Sequence, residues 1–403
     1  MNSPKSFAAL RHPGFRGYFA GAAMAMMADS IEHVISYWIM FEKFQSPALA
    51  GFAVVSHWLP FLLFSVWSGA LADRFDPRRI IQCGMGLFML ASLGWGLLFL
   101  SDSLEMWHAA ALLVIHGLAG VLWNPAGQLL IHDIVDDELL HSAIRLSATA
   151  RWLGLLMGPA VGGGILLLLG PAWGILLNVL IYLPFILWLQ RNRFAKKTTA
   201  ARKIRGFSDI VLTVREVGAN RVIVAMTLLA GAASLVVGNA YQAQMPEFAH
   251  QLGHADGGVT YSALFAADAA GAFTAGLLLE SRGLLPARAR SAFVLAMLWC
   301  LAIGGFALSS SFPLALALLF AAGFLELSFN SMAQTLVQIH APAEARGRVI
   351  GLFAMSSLGL RAFSGITVGL GGALVGIHWS LAASALLLLG ITTALLVFSR
   401  KNL

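Results

Sequence analysis

Apolar stretches of about twenty residues follow one another along nearly the whole chain, and no other feature leaves it so few ways to fold. Twelve can be read, at 15–40, 49–72, 79–100, 106–131, 143–168, 172–190, 219–246, 259–280, 291–308, 313–335, 349–373 and 378–398. Each is long enough to cross a ~30 Å hydrocarbon core, which takes about 20 helical residues. In lipid only helices and closed barrels satisfy every backbone N–H and C=O. Alternating ten-residue strands are absent, so the expected fold class is an all-α polytopic membrane protein. Composition agrees: 59% of residues are hydrophobic and 11% charged, where soluble domains carry about a quarter charged.

Orientation follows from lysine and arginine, which stay on the cytoplasmic side. With the N-terminus inside, all but four of the 26 fall in inner segments; the exceptions are Lys43 in an outer link and Arg145, Arg151 and Arg361 within or at the edge of spans. Both termini are therefore expected in the cytoplasm, with "MNSPKSFAALRHPGFRGYF" as a cytoplasmic tail rather than a signal peptide. The net charge of +7 is this bias facing anionic lipid, and no nucleic-acid partner is needed. Cys83 and Cys300 lie in different spans and form neither a disulfide nor a metal motif.

The basic link at 191–218 divides six spans from six, giving expected domains at 1–190 and 219–403. Phe207, Ile210, Val211, Val214 and Val217 make one stripe in its second part, as in an amphipathic helix on the inner membrane face. The halves echo each other. "NPAGQLLIH" at 124–132 matches "NSMAQTLVQ" at 330–338, and "GALADR" at 69–74 has a worn copy, "GLLLESR", at 276–282. A repeat of this kind gives a transporter two bundles that rock about a central site.

"GALADRFDPRR", 69–79, packs five charges into the turn between spans 2 and 3. It resembles the major facilitator superfamily signature Gly-x-Leu-Ala-Asp-Arg-x-Gly-x-Arg, through Gly69, Leu71, Ala72, Asp73, Arg74 and Arg78. Asp76 replaces the usual glycine and Pro77 follows, a variant similar to the siderophore-exporter-like and drug:proton antiporter branch. The resemblance implies the major facilitator fold and a cytoplasmic latch. Asp73 would sit against the positive N-terminal end of span 11, while Arg74 and Arg78 pair with acids across the inner seam. "APAEARGR", 341–348, supplies the counterpart Glu344, Arg346 and Arg348.

"GLLMGPAVGG", 154–163, resembles the superfamily's antiporter motif, which implies export; its residues are Gly154, Gly158, Pro159, Gly162 and Gly163. Glycines let helices approach closely, and proline removes a helical hydrogen bond and bends the span. "LLVIHGLAG", 112–120, resembles a fourth-span motif, with His116 where the family has arginine.

Four acids lie inside spans: Asp29, Glu32, Asp268 and Glu326. Facing lipid they would together cost on the order of 10–14 kcal/mol, so they must line a wet cavity or meet bases. They are the candidate proton-coupling residues, Asp29 first. Asp29, Glu32, His33 and Ser36 share one face of span 1, with His57 of span 2 at a similar depth. Glu326, Asn330 and Gln334 form a stripe on span 10, and Arg361 needs an acid, for which Glu326 and Asp268 are candidates. His33, His57, His116, Asn239, Gln242, Asn330 and Arg361 are the expected cavity residues. Glu32, His33 and His57 are residue types that suit zinc or iron, but histidines in helical membrane proteins more often make structural hydrogen bonds, so no metal and no cofactor is expected.

No catalytic constellation is present, and the chain is not expected to be an enzyme. It reads as a monomeric exporter in a bacterial inner membrane, moving a siderophore-like or amphipathic drug-like molecule outward against inward protons. An importer of the same fold and a non-transporting sensor or scaffold are the alternatives.

Overall fold

The computed structural model describes residues 7–44, 46–194, 208–238, 240–243, 245–252, 258–282, 288–364 and 371–400. Helices make up nearly all of them, and no β-strand occurs among the described residues. In chain order they are α1 (Pro13–Phe44), α2 (Pro47–Arg74), α3 (Pro77–Leu100), α4 (Met106–Ile134), α5 (Asp137–Arg191), α6 (Ser208–Val217), α7 (Arg221–Val236), α8 (Ala240–Ala243), α9 (Met245–Gln251), α10 (Gly258–Arg282), α11 (Ala289–Ala307), α12 (Phe312–His340), α13 (Arg346–Ala354), α14 (Arg361–Ser364), α15 (Gly371–Val375) and α16 (Ile377–Arg400). Eight described segments are long and apolar enough to cross a membrane.

Local chemistry sets the boundaries. Ser46 caps α2 by accepting from Leu49 N, Asp76 caps α3 through Arg78 N, and Asn220 caps α7 through Ile223 N. Proline follows the cap directly in α2 and α3, where its missing N–H costs nothing. The expected break between spans 5 and 6 is a kink inside α5: Gly170 adopts φ 73°, a conformation that suits glycine, and Pro171 follows. The backbone stays helical through Pro159.

Two expected spans are not continuous. The 219–246 stretch ends as a helix at Val236, and Gly238 turns at φ 48° before the short α8 and α9. The 349–373 stretch divides into α13, a π-helical turn at Met355–Gly359, and α14. The chain stays largely apolar through Met355–Gly359, so composition could not reveal that break, whereas the turn at Gly238 is followed by polar Asn239, Gln242, Gln244 and Glu247.

The chain forms two compact units. One comprises Phe7–Val211 with Pro342–Ala354. Its core holds Phe15, Phe88, Tyr182 and Phe185, with the Phe88 and Tyr182 rings stacked 5.5 Å apart. The other comprises Leu212–Ala341 with Met355–Leu403, and there Trp299 packs on Phe329 and Phe248 on Phe306. Large apolar side chains also point outward along the helices, among them Leu167, Trp107, Leu386 and Phe398. Exposure on this scale suits lipid and not water.

The α6 stripe divides. Val211 and Val214 face outward, but Asp209, Thr213 and Val217 are buried, one face at i, i+4 and i+8. Asp209 lies 3.3 Å from the Arg348 guanidinium, and this ion pair fixes the helix's rotation. Phe207 lies outside the described residues.

Candidate functional site

In the unit containing α1 to α5, helix α1 carries Asp29, Glu32 and Ser36 buried on one face, with His33 beside them. Glycines position this face. A Cβ on Gly154 of α5 would come 2.6 Å from Ala23 O and 2.8 Å from Met27 N; one on Gly158 would strike Ser30, and one on Gly162 would crowd Ile31. The α5 glycines therefore seat α1 at the residues flanking Asp29 and Glu32. Gly163 differs, with nothing within 4 Å. Gly154→Ala is expected to cost about 1–3 kcal/mol by overpacking against rigid backbone, while Gly163→Ala stays neutral; thermal unfolding of the detergent-solubilised variants checks the contrast.

Gly117 does the same for α4, since a Cβ there would run into Ser56 O of α2. This close approach carries His116 to the acids of α1. His116 Nδ1 lies 2.8 Å from Glu32 Oε1, and its Nε2 lies 2.8 Å from Asp29 Oδ1 without the alignment of a hydrogen bond. Ser92 donates to the second oxygen of Glu32, and Asn178 donates to Ser92 Oγ and to Ala28 O. His33 donates from Nδ1 to Asp29 O at 2.9 Å, and its ring lies 5.0 Å from that of His57. The sequence places His116 in the fourth-span motif and among the cavity residues, without linking it, Ser92 or Asn178 to the α1 acids. Nothing in their spacing marks that contact, because it depends on the packing of α4 against α2.

The other unit holds the second pair of acids. Gly271 of α10 and Gly323 of α12 face each other's helix, and a Cβ on either would strike the opposing backbone, at Phe320 O and Asp268 O. The resulting approach lets Tyr241 OH lie 3.3 Å from both Asp268 Oδ2 and Glu326 Oε2. Gln242 Nε2 donates to Asp268 at 3.2 Å. Arg361, in the turn after the π-helical segment, reaches Glu326 at 3.6 Å. Asp268 Oδ1 is buried without a hydrogen-bond partner among the described residues. Glu326, Asn330 and Arg361 line a small cleft with Ser234, Trp299 and Phe329. Tyr241 was missed by the sequence reading, although it adjoins Gln242. Asn239 lies outside the described residues.

The charged turn is built around a glycine pair. A Cβ on Gly69 would collide with Gly347 O, and one on Gly347 with Gly69 O and the Asp73 carboxylate. With both bare, Asp73 accepts from Gly347 N at 2.6 Å and Arg348 N at 3.1 Å, in the first turn of α13. Arg348 is wholly buried and also lies 3.5 Å from Asp73 through NH1. Arg346, half-buried, faces the charges of Asp137, Asp133, Asp73 and Glu344.

Among the described residues, Arg74 and Arg78 are held by groups near their own turn and by Asn192. Arg74 is exposed, with its guanidinium over the Phe75 ring. Arg78 is gripped by Asp76, two residues away, and donates to Asn192 O. Asp76, the residue that departs from the family pattern, is thus both helix cap and counter-ion. Burial pushes its carboxyl up, but hydrogen bonds from the Arg78 side chain and backbone outweigh this and hold it below the usual carboxylate range. A lowered pKa means that the cap's contribution is present at neutral pH and lost as pH falls through that lowered value. Asp76→Ala should therefore cost about 1 kcal/mol at neutral pH, a penalty that fades only in strong acid, as unfolding temperatures at the two pH values would show.

Several known proteins share this architecture. Among solved structures, the human organic anion transporter MFSD10 superposes with a TM-score of 0.76 at 14% identity, over 95% of this chain and 99% of that one. The E. coli fucose:proton symporter FucP gives 0.74 at 13% identity, over 95% and 98%. In sequence, a Cronobacter sakazakii protein provisionally named multidrug resistance protein MdtD is 29% identical over 151 residues, 37% of this chain and 31% of its own length. The E. coli transporter YebQ, described as uncharacterized, is 28% identical over 159 residues, 40% of this chain and 34% of its own. The matched segments thus span about a third of those relatives. The family model described as transmembrane secretion effector matches residues 4–402, and the chain belongs to that family of major facilitator superfamily membrane transporters.

Proposed function

We propose that the chain is a proton-coupled exporter of small molecules, siderophore-like or amphipathic and drug-like, working as a monomer by alternating access. It would sit in a bacterial inner membrane with both termini in the cytoplasm. The observation that carries the coupling is the Asp268–Tyr241–Glu326–Arg361 cluster, in which two buried carboxylates meet one guanidinium. Glu326 has Arg361 as its cation. Among the described residues the neutral Tyr241 and Gln242 are the groups that hydrogen-bond Asp268, so the cluster they form is one positive charge short. A proton on Asp268 supplies that charge. Releasing it requires water or another cation to reach the carboxylate, and an alternating cavity provides this on one side at a time.

Asp29, the first candidate from sequence, has imidazoles against it already and suits this role less well. Outward direction is supported by the Gly154–Gly163 motif and by the name that the MdtD relatives carry. The test is a growth screen in a host lacking its own efflux pumps, followed by uptake of the identified compound into everted vesicles. Accumulation driven by an imposed pH gradient supports export; accumulation only in right-side-out vesicles reverses the direction.

A further inference from the structure

The histidines of the α1 to α4 cluster are arranged as ligands. His33, His57 and His116 each offer a ring nitrogen, and the three atoms lie within 4.8 Å of one another. Their tautomers follow from their neighbours. A carbonyl can only accept, so His33 carries its proton on Nδ1, toward Asp29 O, and presents Nε2 with a lone pair. Glu32 accepts from His116 Nδ1, so His116 in its neutral form presents Nε2 as the other lone pair. This is the arrangement found around metals, where a carboxylate or main-chain carbonyl holds the far nitrogen of each ligating histidine.

Two further observations suit a cation at this place. His57 Nδ1 is buried without a hydrogen-bond partner among the described residues. His116 Nε2 lies 2.8 Å from Asp29 Oδ1 yet is not aligned for a hydrogen bond. A lone pair that close to a carboxylate oxygen is repulsive unless something positive lies between or beside them. Charge gives the size of the deficit. Asp29 and Glu32 are both buried; with the three imidazoles in their neutral, ligating form the cluster carries −2, which a divalent ion cancels, displacing any proton that His116 holds between the two acids.

We propose that His33, His57 and His116, with Asp29 as fourth ligand, bind a divalent transition-metal cation of the zinc type. Imidazole and carboxylate ligands suit zinc, cobalt and nickel, whereas magnesium prefers an all-oxygen shell. Glu32 is the positioning residue that orients His116. The edge of a tetrahedral site with metal–nitrogen bonds of about 2.0–2.1 Å is roughly 3.4 Å, so loading draws the rings inward by about an ångström. The site is independent of the Asp268 cluster, which lies in the other unit.

The test uses the full chain, purified, freed of any affinity tag, stripped with a chelator and checked by size exclusion. Titration with ZnCl2 and CoCl2, followed by calorimetry, should give one equivalent per chain, and MgCl2 none. Bound cobalt should show the intense visible absorption of a four-coordinate ion. His57→Ala, which removes the ligand least tied into the hydrogen-bond network, should abolish that spectrum, and Glu32→Gln should weaken affinity about 10–100-fold. No equivalent bound by the wild-type chain, an octahedral cobalt spectrum, or magnesium binding as tightly as zinc would overturn the proposal. So would binding unchanged in a folded His57→Ala variant. If His57→Ala does not fold, the wild-type cobalt spectrum decides alone.

Discussion

Asp268→Asn is expected to abolish concentrative export while leaving the protein folded and still able to exchange substrate for substrate. The amide keeps the size of the side chain and can still meet Tyr241 OH and Gln242 Nε2, the partners that Asp268 has among the described residues. What it cannot do is bind and release a proton. The cluster becomes permanently balanced by the Glu326–Arg361 pair, and nothing links the two cavity states to the pH gradient. The gradient-driven component should fall by two orders of magnitude or more, equivalent to losing at least about 2.7 kcal/mol of coupling. Exchange in the absence of a gradient should fall by less than about threefold, under 0.7 kcal/mol on the same scale. Everted vesicles loaded with and without substrate separate the two components. Arg361→Met provides the opposite sign: it strips the cation from buried Glu326, an error worth about 3–5 kcal/mol of stability, and so it should unfold before it uncouples.

Asp73→Ala should have the largest effect on stability. The Asp73 carboxylate accepts from two backbone N–H groups at the start of α13 and lies beside the buried Arg348 guanidinium. Its loss leaves those N–H groups without this acceptor and removes one of two carboxylates from Arg348. Truncating one partner of a buried ionic contact costs about 3–5 kcal/mol, where an exposed pair is worth under about 1 kcal/mol. Asp73→Asn keeps one acceptor oxygen and should lose roughly half as much, since hydrogen bonds to a charged group contribute about 1.5–3 kcal/mol each. Thermal unfolding in detergent should rank the three proteins as wild type, Asn, Ala. An Asp73→Ala protein as stable as wild type would show that these charges only orient the chain in the membrane.

How far the sequence could be read depended on whether the signal was local. Apolar runs of twenty residues announce helices without reference to any partner, and the Gly170–Pro171 break is written in two residues. The Asp73 turn was legible because its glycine, acid and arginines occur together at fixed spacing. The interruption at Met355–Gly359 was not, because the chain stays largely apolar through it; the turn at Gly238 did carry a local signal, the polar residues Asn239, Gln242, Gln244 and Glu247 that follow it. Contacts between helices were the least legible. That His116 meets Asp29 and Glu32 depends on Gly117 letting α4 close on Ser56. That Tyr241 bridges Asp268 and Glu326 depends on Gly271 and Gly323. A lone glycine in a helix says that something comes close without saying what.

Proton movement itself is the measurement that bears most directly on this account. In proteoliposomes enclosing a pH-sensitive dye, an imposed gradient of the transported compound should drive protons the opposite way, and Asp268→Asn should abolish that flux. Substrate movement at the wild-type rate with no change in internal pH would contradict it.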